Sequence, residues 1–149
     1  MSVARWLNKE RVLRRIRALP DAVRKQVQKD LRRSAEELVA AQKRVAPVKT
    51  GTLRDSIKWR LGSARGKTGN TLRDEFTVTI YIDKRARHYA HLVEFGVSAH
   101  ENKGRFKGTQ NPGAPPQPYF FPTYRAQKRR IKGRVRRGLK KAIASTQGA

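Results

Sequence analysis

The sequence predicts an α+β fold: long N-terminal helices packed on a small antiparallel β-sheet, with a basic C-terminal helix. Three observations predict it. Val23, Val27, Leu31, Ala35, Leu38, Gln42 and Val45 recur at helical spacing, with only Gln42 polar. Two later stretches, 57–61 and 76–82, alternate apolar and polar side chains as half-buried strands do. A last stripe of Tyr124, Lys128, Ile131, Val135, Leu139 and Ala142 returns to the helical period. The 149 residues suit a single domain. Its expected parts are a basic helix over 1–19, an α+β core over 20–122 with flexible loops at 62–75 and 98–117, and a basic C-terminal helix and tail over 123–149.

In order along the chain, residues 4–19 place Trp6, Leu7, Val12, Leu13, Ile16 and Leu19 among basic residues, which reads as a short amphipathic helix. Pro20 ends it and opens the next helix at its first position. The outer face of that helix carries Arg24, Lys25, Lys29, Arg32, Arg33, Lys43 and Arg44, and for one helix alone a solvated face is the plainer explanation.

The helix stops at A-P-V-K-T-G-T-L-R-D-S-I, residues 46–57. Pro47 has no N–H to give and clashes with the preceding turn. Gly51 admits positive φ, so the chain can change direction there. Thr52 with Asp55 matches the capping-box pattern and predicts a short helical turn. Ile57, Trp59 and Leu61 then alternate with Lys58 and Arg60 in a first strand. Phe76, Val78, Ile80 and Ile82 make a second, rich in β-branched and aromatic residues, that pairs antiparallel with the first.

Y-A-H-L-V-E-F-G, residues 89–96, reads as a short helix or tight turn closed by Gly96. Residues 98–117 are polar and rich in glycine and proline, and a loop that long has either a task or no fixed shape. Pro118-Tyr119-Phe120-Phe121-Pro122 brings the chain back to the core, and Pro122 opens the last helix. Gly133 and Gly138 each weaken that helix by about 1 kcal/mol relative to Ala.

Charge dominates the composition. There are 36 Lys and Arg against 11 Asp and Glu, a formal net of +25. From Asn102 onward there are 13 basic residues and no acid, ten of them between Arg125 and Lys141. Such an excess repels itself and attracts polyanions or acidic surfaces. The candidate contacts are Arg125, Lys128, Arg129, Arg130, Arg134, Arg136, Arg137, Lys140 and Lys141. Nothing suggests base readout, so contact with nucleic acid would run through phosphates. Tyr119, Phe120, Phe121 and Tyr124, beside prolines, read as core rather than as a stacking platform.

The composition excludes several classes. With no cysteine there is no disulfide, thiolate metal site or cysteine nucleophile. No apolar run approaches the ~20 residues of a membrane span. The N-terminus lacks the apolar stretch of a secretory signal, so a soluble, non-exported protein without membrane contact is expected. His88, His91 and Glu94 are spaced by three and offer a weak metal pattern, without the H-E-x-x-H arrangement that would make it specific. Asp83 and Glu94 are a second pair of acids with nothing to bring them together. Phosphate-loop and nucleophile-elbow motifs are missing, so no enzyme, metal or cofactor is expected.

The order of A-P-V-K-T-G-T-L-R-D-S-I at 46–57, Y-A-H-L-V-E-F-G at 89–96 and P-Q-P-Y-F-F-P at 116–122 before a last helix resembles the small head–tail joining proteins of tailed bacteriophages, the neck and tail-completion class. The resemblance covers about residues 20–145, and the basic N-terminal helix, the 98–117 loop and the cationic tail depart from it. It implies a non-catalytic homo-oligomeric ring at the head–tail junction of the virion, made in the host cytoplasm. It implies connector, tail-terminator or tail-tube proteins as neighbours, with packaged DNA touched through phosphates. On this resemblance Pro47, Gly51, Leu53, Tyr89, Glu94, Gly96, Tyr119 and Phe120 serve the fold and subunit contacts. Ring assembly would use the sheet and the 98–117 loop. A free, sequence-independent nucleic-acid-binding protein is the alternative.

Overall fold

The computed structural model describes residues 20–62 and 76–147. The helix expected over 1–19 and nearly all of the 62–75 loop lie outside the described residues. Helix α1 spans Asp21–Val45 and the short α2 spans Thr52–Ser56. Strands β1 (Ile57–Leu61) and β2 (Val78–Ile82) form a two-stranded sheet. Then come α3 (Arg87–Phe95), the short strands β3 (His100–Glu101) and β4 (Gln110–Asn111), and the long α4 (Phe121–Gln147). This is an α+β fold with a long helix first, a small antiparallel sheet, and a helix last.

The described residues fall into two compact units. One gathers those up to Ala35, those of Arg60–Thr79, and those from Arg129 onward. The other holds Glu36–Trp59 and Ile80–Lys128.

In the first unit, Val23, Val27 and Ala35 of α1 and Ala142 of α4 are buried, and Leu31, Ile131, Val135 and Leu139 are half-buried. Pro20 stands one residue before α1, and its carbonyl accepts the N–H groups of Val23 and Arg24. Asp30 and Ser34 are buried beside these apolar residues. Gln26 Nε2 donates to Asp30 Oδ2 at 3.2 Å, and Ser34 Oγ donates back to the Asp30 carbonyl at 2.7 Å. Arg134 Nη1 reaches across from α4 to Ser34 Oγ at 3.0 Å. A Cβ at Gly138 would fall on the Asp30 carboxylate, so the missing side chain is what lets α4 lie close to α1 there.

Gly133 is different: a Cβ there would meet only the end of the flexible Arg137 side chain, at 3.2 Å. The two glycines therefore predict opposite outcomes. Gly133→Ala should stabilise by about 0.5–1 kcal/mol through helix propensity. Gly138→Ala should destabilise by about 1–3 kcal/mol, because Asp30 must abandon its bond to Gln26 to make room. Urea midpoints of the two variants check both signs.

The second unit has its core in Val39, Ala46, Leu53, Ile57, Ala86, Ala90 and Tyr119, with Trp59, Ile80, Ile82, Tyr89, Val93 and Phe120 packed against it. Leu38, Ala41 and Gln42 of α1 are also buried. Gln42, the polar member of the stripe, donates Nε2 to the Phe120 carbonyl at 3.1 Å, which offsets part of the cost of its burial, while its Oε1 is buried without a partner among the described residues. Val45 closes the predicted stripe but is 56% exposed. The helix ends there, and Ala46, bonded through its N–H to the Gln42 carbonyl, fills the core position instead.

The turn after Pro47 also differs from the capping-box expectation. Gly51, at φ 81, is the N-cap of α2, and no side chain caps that helix. Thr52 is already helical, and the Asp55 carboxylate lies beside Arg54 in solvent. The glycine conformation, not a side-chain acceptor, turns the chain here. The sheet is antiparallel: Asp83 N–H donates to the Ser56 carbonyl, and Gly62 N–H to the Thr77 carbonyl, each at 2.8 Å. β2 starts at Val78, two residues later than the alternation suggested, with Phe76 in the preceding turn.

The 98–117 segment, read as loop from its composition, contains a short antiparallel arm. His100 pairs with Asn111 and Glu101 with Gln110, and Val97 and Ala114 bridge at its base. The stripe expected from Tyr124 holds only from Ile131 onward; Tyr124 and Lys128 are exposed. In this first part of α4 the entering residues Tyr119 and Phe120 supply the core contacts instead.

Candidate assembly site

The site is built where α3, the arm and the start of α4 meet in the second unit. An α-helix begins with backbone N–H groups that have no partner in the helix. The segment P-Y-F-F-P that starts α4 offers no side-chain cap of its own. Glu94 supplies the acceptor from α3. Its Oε2 takes the N–H of Tyr119 at 2.8 Å and of Phe120 at 2.9 Å, and its Oε1 takes that of Phe121 at 3.0 Å. The carboxylate is 5% exposed, so these are charge-assisted bonds out of water, placed where the helix dipole favours negative charge. Gln117 N–H adds a bond to the Val93 carbonyl at 2.8 Å.

The motifs at 89–96 and 116–122 are thus one joint. The motif at 46–57 adjoins it, because Ala46, Leu53 and Ile57 share their apolar cluster with Ala90 and Tyr119. Among the residues expected to serve fold and subunit contacts, Leu53, Glu94 and Tyr119 are buried, Tyr89 and Phe120 are half-buried, and Gly51 and Gly96 have positive φ. Pro47, Gly51, Leu53, Tyr89, Val93 and Ala114 line an open groove of about 460 Å³.

Beside the groove the surface is apolar. Leu92 and Phe95 share a face of α3 and are 40% and 67% exposed. Phe121 and Tyr124 share a face of α4 and are 44% and 41% exposed. The rings of Phe95 and Phe121 lie 5.9 Å apart, so the two faces form one patch. A joined aromatic patch of this kind, unlike a scatter of single apolar residues, is the type of surface that a partner can cover.

Two ionisable groups of this unit are shifted. Burial, then the Glu94 charge and Tyr89, push the Tyr119 hydroxyl from 10.0 up to about 12. Because folding raises this value, the associated stability is complete below pH ~10 and disappears as the pH climbs to ~12. Tyr119→Phe should abolish that alkaline step in denaturation followed by the tyrosinate absorbance band. Asp83 moves the other way. The Lys58 ammonium, bonded to its carboxylate at 2.7 Å, and then the Lys84 N–H hold it below the usual carboxylate range.

The weak metal pattern is not assembled. His88 and His91 are exposed, while both oxygens of Glu94 are already engaged by backbone N–H groups. Asp83 is held by Lys58, away from any pairing with Glu94. No group able to hold a metal ion occurs among the described residues. No helix of the described residues is long and apolar enough to cross a membrane.

Of the candidate cationic contacts, Arg125 and Lys128 belong to the second unit and the rest to the first. In the first unit Arg129, Lys132, Arg136 and Lys140 follow one another at helical spacing and are all exposed. They form a straight cationic ridge of about 16 Å at the helical rise. Arg130, Arg137 and Lys141 are exposed beside it, and Arg134 is half-buried on Ser34. Lys132 belongs to this ridge by its periodicity, a signal that a count of basic residues passes over.

No curated protein and no solved structure matches the chain. A family model described as bacteriophage HK97-gp10, putative tail-component, matches residues 10–96, more than half of the sequence, from ahead of α1 to Gly96 just after α3. The chain belongs to this HK97-gp10-like family of bacteriophage putative tail-components.

Proposed function

We propose that the protein is a structural virion component of the head–tail junction, assembling as a homo-oligomeric ring that joins the capsid connector to the tail. The exposed Phe95–Phe121 patch carries the reading: it is apolar, pinned in place by Glu94, and left uncovered by the described residues of the single chain. A different surface of the neighbouring copy would cover it, and such head-to-tail contacts close into rings. Connector, tail-terminator or tail-tube proteins are the neighbours above and below. The cationic ridge of α4 faces packaged DNA, through its phosphates, or acidic subunits.

Native mass spectrometry of the full chain tests this, together with its detection in purified particles. The expected results are a closed oligomer and a fixed stoichiometry. Phe95→Ser should return the oligomer to single chains without changing the circular dichroism. A chain that stays single at all concentrations and is absent from particles refutes the proposal.

The ridge Arg129, Lys132, Arg136 and Lys140 favours a second reading, a free nucleic-acid-binding protein insensitive to sequence. Salt separates the two. A free binder loses affinity for duplex DNA with a log–log slope of about −0.9 for each phosphate neutralised. The ring component binds weakly as a single chain.

A further inference from the structure

The β3–β4 arm lies beyond the residues that match the family model, and neither the core nor the aromatic patch uses its tip. We propose that this tip, Lys103–Gly108, is a plug that docks into an acidic-rimmed apolar pocket on a different protein of the same particle. The inference rests on the virion reading above.

The tip is ordered by its own bonds. Asn102 N–H donates to the Thr109 carbonyl at 2.9 Å, and Asn102 Nδ2 to Thr109 Oγ1 at 2.8 Å. Thr109 Oγ1 donates to the Phe106 carbonyl at 2.7 Å, and Lys107 N–H to the Gly104 carbonyl at 3.1 Å. Gly104–Phe106 forms a single 3-10 turn at the end of the arm. A segment so tied is preorganised and loses little entropy on docking.

What it presents is one large apolar ring among cations. Phe106 is 66% exposed, and Lys103, Arg105 and Lys107 around it are exposed as well. Cβ atoms built at Gly104 and Gly108 would meet nothing within 4 Å, so the tip stands clear of the other described residues. The nearest acid, Glu101, belongs to β3, and none follows it in the sequence. An aromatic anchor ringed by like charges matches a partner pocket that is apolar at its centre and acidic at its rim.

Charge also selects the occupant. The groove of a second copy is lined by Lys49 and by no acid, so it does not complement the cationic tip. Duplex DNA keeps its base faces stacked, so it satisfies the three cations but offers nothing to the phenyl ring. An acidic protein surface satisfies both.

The test places the photocrosslinker p-benzoylphenylalanine at position 106 of the full chain, in assembled particles. The expected photoproduct joins this chain to a different particle protein, at a segment bearing Asp or Glu. The triple change Lys103→Glu, Arg105→Glu, Lys107→Glu should reduce its yield by about tenfold or more. The Gln triple at the same positions should reduce it in the same direction and guards against a folding defect. Crosslinks to DNA, to a second copy, or to nothing overturn the plug, as does a yield indifferent to the three charges. If the chain is absent from particles, the virion reading falls and the plug falls with it; if it is present, only the plug is at stake.

Discussion

Glu94→Ala is expected to destabilise the protein by about 3–4 kcal/mol. The substitution removes one side chain but strands three donors, the N–H groups of Tyr119, Phe120 and Phe121. Each buried group left without a partner costs about 1–3 kcal/mol, and bonds to charged acceptors stand at the upper end. Tyr119 is 1% exposed, so water cannot replace the lost acceptor at its amide without opening the core. Phe120 is half-buried and Phe121 exposed, so water recovers part of their share, which keeps the total below three full penalties. Glu94→Gln should cost roughly half as much. Its amide oxygen can still accept bonds, but its NH2 group would face a donor. Hydrogen exchange at the 119–121 amides separates this mechanism from a general loss of packing. Those three amides should lose protection first in both variants, while those of β1 and β2 keep theirs.

Glu94 also shows where reading the sequence stops. The α1 stripe was legible because period and polarity agree over 25 residues, and the β1–β2 pair because alternation survives without any knowledge of the partner. Even there, the burial of Gln42 depends on the Phe120 carbonyl, 78 residues away. Glu94 stood out as the last of three polar residues spaced by three and, through the resemblance, as a fold and subunit contact, but its capping role did not, because its partners lie 25–27 residues later. One signal could have found it. P-Y-F-F-P begins a helix with no cap of its own, and a buried helix start must borrow an acceptor from elsewhere. The arm was hidden for another reason. Its strands are two residues each, too short to show alternation, and cross-strand and side-chain bonds such as Asn102–Thr109 hold it instead. The Phe95–Phe121 patch was illegible because exposure is a tertiary property: the same residue types at Tyr119 and Phe120 are covered.

Gly96→Ala should be strongly destabilising, costing about 3–5 kcal/mol. Two independent penalties meet at this residue. Its backbone sits at φ 75, ψ 178, a region that is essentially closed to residues with a Cβ and costs them about 1–3 kcal/mol. A Cβ there would also lie 2.8 Å from both the Ala114 carbonyl oxygen and the Pro116 nitrogen. These are backbone atoms, held by the Val97–Ala114 bridge and by the bond from Gln117 to Val93, so they cannot swing aside as a side chain would. Crowding of that kind adds about 1–3 kcal/mol. Gly51 provides the control. It too has positive φ, at 81, but its nearest contacts to a built Cβ are side-chain atoms at 3.7 and 3.8 Å. Gly51→Ala should therefore incur only the backbone strain, about 1–2 kcal/mol. The ranking of the two urea midpoints tests whether the arm is clamped to α3 as described. Equal losses would mean that residues 114–116 move away when Gly96 gains a methyl group. In that event the arm would be a loose tether rather than a rigid extension of the joint that Glu94 holds.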